Sequence, residues 1–119
     1  MSWGYHLILD CSDCNLERMR DKENITAWIK DLVKQIDMEP VGEPIIERVA
    51  EDQVDKAGYT VLQTIVTSHI TAHFVDSAKQ IYLDVFSCRK FDRTVVRESI
   101  IKHFWTTNFR EYFLTRQAG

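Results

Sequence analysis

The sequence predicts an α+β fold, a two-layer sandwich in which helices pack on one face of an antiparallel sheet. Two patterns carry this expectation. From Tyr59 to Thr67 the residues are β-branched or apolar with few exceptions. The same composition resumes through Phe74 and again from Ile81 to Phe86, which reads as three consecutive strands. By contrast, Ile25, Trp28, Ile29, Leu32, Val33 and Ile36 recur at helical spacing, with Asp21, Lys22, Glu23, Lys30, Asp31 and Lys34 on the wet side.

The elements follow in chain order. A first strand covers about Gly4 to Asp10, with Tyr5, Leu7 and Leu9 on one face and His6 and Ile8 on the other. The Trp28 helix comes next as a core-packing element. Its end is signalled by Met38-Glu39-Pro40 and Gly42, because proline and glycine stop helices. Pro44 to Val49 is a short strand, and Ala50 to Gly58 is a charged connection. Beyond the central strands, Arg93 to Trp105 forms a second amphipathic helix through Val96, Ile100 and Phe104, and Glu111 to Thr115 forms an edge strand. The central strands carry apolar residues on both faces, so the sheet face left bare by the helices is expected to be covered as well.

Bulk composition narrows the function classes. A chain of 119 residues with 45% apolar content is expected to form one domain, 1–119, with a modest core that dimerisation would help to stabilise. The net charge of -3, with lysines and arginines scattered among acids, offers no basic field for nucleic acid. No apolar run approaches the ~20 residues that span a bilayer. The N-terminus also lacks the charged start and apolar stretch of a signal peptide, so a cytoplasmic location is the default expectation. Three cysteines, an odd number, speak against a disulfide scaffold. Cys11-Ser12-Asp13-Cys14 is formally a CxxC, but it opens no helix in a βαβ setting, and His6, His69 and His103 supply no further zinc-ligand pattern. Both cysteines are read as packing at the end of the first strand, and no metal site is expected.

The chemistry concentrates in Thr67-Ser68-His69-Ile70-Thr71-Ala72-His73, followed by Asp84-Val85-Phe86-Ser87-Cys88. A serine, a histidine and a cysteine fall on adjacent strands, a trio that can do covalent chemistry. Strand alternation sends Ser68, Ile70, Ala72 and Phe74 one way and His69, Thr71 and His73 the other. Convergence of Ser68 with His73 therefore requires a strand end, bend or bulge between them.

These segments, behind the opening strand Gly4-Tyr5-His6-Leu7-Ile8-Leu9-Asp10, resemble the S-adenosylmethionine decarboxylase family in its short bacterial and archaeal form. Its members carry Ser-His-(Leu/Ile)-Thr-x-His and then Asp-(Val/Leu)-Phe-(Thr/Ser)-Cys at the spacings found here, and the resemblance covers nearly the whole chain. It implies a self-processing proenzyme. Ser68 Oγ would attack the Thr67 carbonyl, a base such as His73 would remove the Ser68 α-proton, and the chain would part between residues 67 and 68. The dehydroalanine left behind loses ammonia and becomes a pyruvoyl group, the built-in cofactor. Its carbonyl can form a Schiff base with an amino-acid substrate and delocalise the carbanion left when carbon dioxide departs. Histidine suits the base role because imidazole titrates near 6.5, and a thiol such as Cys88 can return a proton to carbon. The resemblance further implies decarboxylation of S-adenosylmethionine for spermidine synthesis, and a homodimer with active sites near its interface.

Four positions depart from the family pattern. Thr67 replaces the glutamate before the cleaved serine, and Thr60 replaces the serine that assists processing. Val75-Asp76-Ser77 stands for Trp-Pro-Glu, so that the substrate-binding glutamate falls at Ser77 with Asp76 beside it. Tyr5 replaces an arginine ahead of the first-strand histidine. The change at Ser77 keeps open a related decarboxylase of ornithine or arginine. The changes at Thr67 and Thr60 keep open an unprocessed, non-enzymatic homologue that regulates an active partner.

Overall fold

The computed structural model describes residues 2–119. Nine elements run in the order β1 (Gly4–Ser12), α1 (Leu16–Met19), α2 (Lys22–Gln35), β2 (Ile45–Val49), β3 (Gly58–Ile65), β4 (Ser68–Val75), β5 (Gln80–Ser87), α3 (Arg93–Phe104) and β6 (Asn108–Arg116). The six strands form one antiparallel sheet of order β2-β3-β4-β5-β1-β6. The expected α+β class is the observed one.

Local chemistry sets the boundaries. The Asp21 carboxylate caps α2 by accepting from the amides of Glu23 and Asn24, and Asp92 caps α3 by accepting from Thr94. α2 stops before Pro40 and Gly42, because Asp37 takes up a left-handed backbone conformation at φ 56°. α3 ends at Phe104, and Trp105 is its left-handed cap. α1 has no counterpart in the sequence reading, since four residues are too short to show a period; the Asn15 side chain caps it. β6 begins at Asn108, three residues earlier than expected, where Asn108 and Phe109 pair with Ser12 and Cys11 of a longer β1.

One face of the sheet is dry. Leu7, Leu9, Val61, Ile70, Phe74, Ile81, Leu83 and Val85 lie buried beneath Ile25, Trp28, Ile29 and Leu32 of α2 and Val96, Ile100 and Phe104 of α3. Each such side chain contributes about 1.5–3 kcal/mol by leaving water. Trp28, Phe74 and Phe104 meet edge to face at centroid distances of 6.0, 5.3 and 5.2 Å. The buried Trp28 Nε1–H donates to Ser99 Oγ at 3.1 Å, which keeps the indole polar edge satisfied in an apolar layer.

The other face carries no helix, and its side chains fall into rows across the sheet. Nearest Ser68 the row reads Thr64, His69, Phe86, His6 and Leu114; the middle row reads Leu62, Thr71, Asp84, Ile8 and Tyr112; the far row reads Thr60, His73, Tyr82, Asp10 and Arg110. The expectation of central strands apolar on both faces needs correction for β4, whose open side is His69, Thr71 and His73. Strand alternation segregates its apolar set wholly to the helix side. Apolar groups remain exposed elsewhere on this face, with Leu62, Tyr112 and Leu114 each more than two-fifths exposed, and Ile45 of β2 lies opposite Leu62. Among the described residues no helix is long and apolar enough to cross a membrane.

Gly58 opens β3 where the backbone of β4 crosses closely, and a Cβ there would stand 1.7 Å from the Phe74 carbonyl oxygen. Because the obstacle is backbone, relief requires a strand to move. Gly58→Ala should cost about 3 kcal/mol of stability, read as a lower urea midpoint; an unchanged midpoint would show that the strands separate freely at this end.

Candidate functional site

β3 and β4 are joined by the two-residue turn Val66-Thr67, with Ile65 paired to Ser68. Three tethers hold the turn. The Val66 amide donates to Glu39 O at 2.9 Å, Thr67 Oγ1 lies 2.7 Å from Ser87 Oγ, and the Cys88 amide donates to Thr67 O at 3.0 Å. The last contact matters chemically. It places a backbone N–H on the carbonyl that Ser68 would attack, where negative charge would gather.

Ser68 itself sits at φ 149°, a region L-residues seldom enter and glycine occupies freely. Such a conformation costs on the order of 1–3 kcal/mol and persists only where its surroundings impose it. Here the turn on one side and the unbroken β4 ladder on the other impose it. Ser68 Oγ lies 3.0 Å from His69 Nδ1, and the His69 ring packs against Phe86 with centroids 5.6 Å apart.

His73 does not join Ser68 within the chain. β4 pairs without interruption from Ser68 to His73 along β3 and from Ser68 to Val75 along β5, with no bulge, so five residues separate the two by roughly 17 Å at a strand's rise. The bend required for convergence is absent because both ladders stay in register. His73 is instead held at the far row. Nε2 lies 2.9 Å from the Lys56 carbonyl, which can only accept, so Nε2 carries the proton and Nδ1 accepts from Thr60 Oγ1 at 2.9 Å. Thr60 and His73 thus form a preoriented hydroxyl–imidazole pair.

Asp76 and Ser77 follow at the same end. Asp76 Oδ2 pairs with Arg48 Nη1 at 2.8 Å and lies 3.7 Å from Arg20 Nε, while its buried Oδ1 has no hydrogen-bond partner. Ser77 is exposed in the β4–β5 turn. Cys88 is exposed just past β5, at the Ser68 end. Cys11 and Cys14 are buried thiols; burial first, then the charge of Asp13, pushes Cys14 up to about 12, so neither is a nucleophile at neutral pH. Among the described residues no group of three or more His, Cys, Asp or Glu side chains is arranged to hold a metal ion.

The open face adds polar groups between the two ends. His6 Nε2 lies 3.0 Å from Asp84 Oδ1. Burial, then the Asp84 carboxylate, raises the Asp10 carboxyl above its usual range, and Arg110 opposes the shift. A concavity of about 410 Å³ lined by Trp3, Phe86 and Arg116 opens beside His69. Sequence reasoning overlooked His69, Ser87 and Lys56. Cross-strand register, Ser68 opposite Ser87, could have found the second; the Lys56 contribution is a backbone carbonyl and leaves no side-chain signal.

The strain at Ser68 can be measured by substitution at that position. Ser68→Gly should be about 1–2 kcal/mol more stable than Ser68→Ala, because only glycine meets φ 149° at little cost. Equal thermal midpoints for the two variants would show that residue 68 is relaxed.

Comparison with known proteins follows the same lines. The family model for S-adenosylmethionine decarboxylase matches residues 5–117. S-adenosylmethionine decarboxylase proenzymes of Clostridium botulinum, from strains Hall and Loch Maree, are 30% and 28% identical to the chain over 87 residues, 73% of this chain and 70% of theirs. The crystal structure of the adenosylmethionine decarboxylase from Aquifex aeolicus VF5 superposes with a TM-score of 0.80 at 16% identity, covering 99% of this chain and 93% of that one, which is a likeness of fold.

Proposed function

The chain belongs to the S-adenosylmethionine decarboxylase family, and from that premise we propose that it is a proenzyme that cuts itself between Thr67 and Ser68 and then decarboxylates S-adenosylmethionine, in the cytoplasm, for spermidine synthesis. The observation that carries this reading is the Thr67–Ser68 junction. It combines a strained serine backbone, an N–H already bonded to the carbonyl to be attacked, and an exposed thiol one residue past the strand that faces it.

The junction fits the precursor of a pyruvoyl group. Ser68 Oγ adds to the Thr67 carbonyl carbon, the C–N bond breaks, and Thr67 is left in ester linkage to Oγ while the Ser68 nitrogen becomes an amine. A base then takes the Ser68 α-proton, the Cβ–O bond breaks, and Thr67 departs as a carboxylate. The dehydroalanine that remains tautomerises to an imine as a proton moves from nitrogen to Cβ, and water hydrolyses the imine and releases ammonia. A pyruvoyl group at residue 68 would supply an electrophilic carbonyl that takes an amine and holds the electron pair freed with carbon dioxide. Cys88 holds the proton that is returned to the substrate carbon.

His73 and Thr60 enter this chemistry through a second copy of the chain. The open face bears exposed Leu62, Tyr112 and Leu114, apolar surface that a partner would cover. An isologous dimer that stacks two such faces about a two-fold axis lying between them and across the strands brings the Ser68 row of one copy over the Thr60–His73 row of the other. The roughly 17 Å gap within one chain is then bridged between chains, and Asp76 and Ser77 arrive beside the partner's substrate.

Purified parent protein should therefore part between residues 67 and 68 and react with carbonyl reagents, while Ser68→Ala stays whole in intact-mass measurement. Co-expressing Ser68→Ala with His73→Ala should restore cutting of the His73→Ala chain, which neither variant shows alone. A mixture that remains uncut would refute the shared site. Processed enzyme should release carbon dioxide from S-adenosylmethionine in preference to ornithine or arginine; the opposite preference assigns it to the basic amino acids. A parent that never cuts would make it an unprocessed partner of an active homologue.

Cys88→Ala should process at nearly the parental rate, since the backbone N–H on Thr67 O survives. It should lose at least about 100-fold in turnover, the usual scale for a positioned acid, and inactivate faster per cycle. Parental turnover in this variant removes Cys88 as the proton source.

A further inference from the structure

We propose that His69 is the base that activates Ser68 for the first step of self-cleavage, leaving the second step to His73. This rests on the processing reading above and assigns a catalytic role within it to a residue not yet given one. His69 Nδ1 lies 3.0 Å from Ser68 Oγ, hydrogen-bond distance to the atom that must attack. Within the chain, His73 lies roughly 17 Å along the same strand. Among the described residues, His69 is the imidazole bonded to the nucleophile.

Two features hold the pair. Alternation along β4 would point Ser68 and His69 to opposite faces, and the φ of 149° at Ser68 departs from that pattern where the two side chains meet. The His69 ring is backed by Phe86, itself flanked by His6 and Trp3 at centroid distances of 6.0 Å each. The backbone strain and the aromatic support thus serve one contact.

The proton balance closes within the chain. Nδ1 takes the Oγ proton as the Oγ–C bond forms at the Thr67 carbonyl, and the charge that collects on the carbonyl oxygen is met by the Cys88 N–H at 3.0 Å. When the C–N bond breaks, the same proton passes from Nδ1 to the departing Ser68 nitrogen. Imidazole suits both transfers because the same ring nitrogen can accept a proton and give it back. Elimination then needs a base at the Ser68 α-proton, the task left to His73 and Thr60 of the second copy.

The two histidines are separable because an ester and an amide differ in their response to neutral hydroxylamine. His73→Ala should accumulate the ester and be split by hydroxylamine at residue 67, giving a Thr67 hydroxamate by mass. His69→Ala and His69→Gln should stay as amide, resist hydroxylamine, and form ester at least about 100-fold more slowly than the parent. Because His69 is exposed, added imidazole should restore cutting of His69→Ala but not of Ser68→Ala, a recovery that a purely structural defect would not show. Unfolding midpoints equal to the parent's are expected for both His69 variants. A His69 variant that cuts at the parental rate, accumulates ester as His73→Ala does, or gains nothing from imidazole overturns this assignment alone. A parent chain that neither cuts nor yields to hydroxylamine overturns it together with the processing reading.

Discussion

Strand alternation on a sheet covered from one side only is the constraint on which everything else in this molecule depends. The helices take the dry face, so each strand must deliver its apolar side chains there, and whatever chemistry the strands carry is left on the other. β4 shows this most sharply: Ile70, Ala72 and Phe74 lie buried under the helices, while His69, Thr71 and His73 stand on the open side. A one-residue slip of β4 would bury three polar groups and expose three apolar ones. Register and chemistry are therefore secured together by the same core.

The same constraint sets the Thr67–Ser68 bond apart at a turn. Within the central strands the amides are tied into ladders on two sides, and a peptide so held presents its carbonyl to a neighbouring strand. At Val66-Thr67 the ladder closes on itself, and the Thr67 carbonyl is free to accept from Cys88 beyond the end of β5. The strain at Ser68, on the order of 1–3 kcal/mol, is matched by tethers at Val66, Thr67 and Cys88 that contribute about 1 kcal/mol each. A rigid setting keeps a strained residue from relaxing.

Two imidazoles on one face, four residues apart along β4, are held in different settings. One contacts the serine directly; the other is oriented by a carbonyl and a hydroxyl at the opposite end of the strand. The ion pairs of Arg48 with Glu51 and Asp76 hold the segment that brings the Lys56 carbonyl to His73, so even the loop between β2 and β3 contributes to the orientation of an imidazole.

Much of the fold was legible in the residues themselves. The Trp28 stripe, the β-branched runs and the proline and glycine that follow the first long helix are local signals, and the helices and strands they announce are observed. Boundaries set by tertiary partners were not legible: β6 reaches back to Asn108 only because Ser12 is there to pair with, and α1 rests on a single Asn15 cap. For the site, the sequence by itself determined which groups are chemically competent, namely Ser68, His73, Cys88, Thr67 and Thr60, since side-chain chemistry belongs to residue type. Only the tertiary structure decided who meets whom. Distance along an unbroken strand separated Ser68 from His73, a backbone torsion and a neighbouring ring gave Ser68 to His69, and a carbonyl with no sequence signature oriented His73. Contacts of that kind arise from the register of paired strands and the path of the backbone, which residue type alone does not encode.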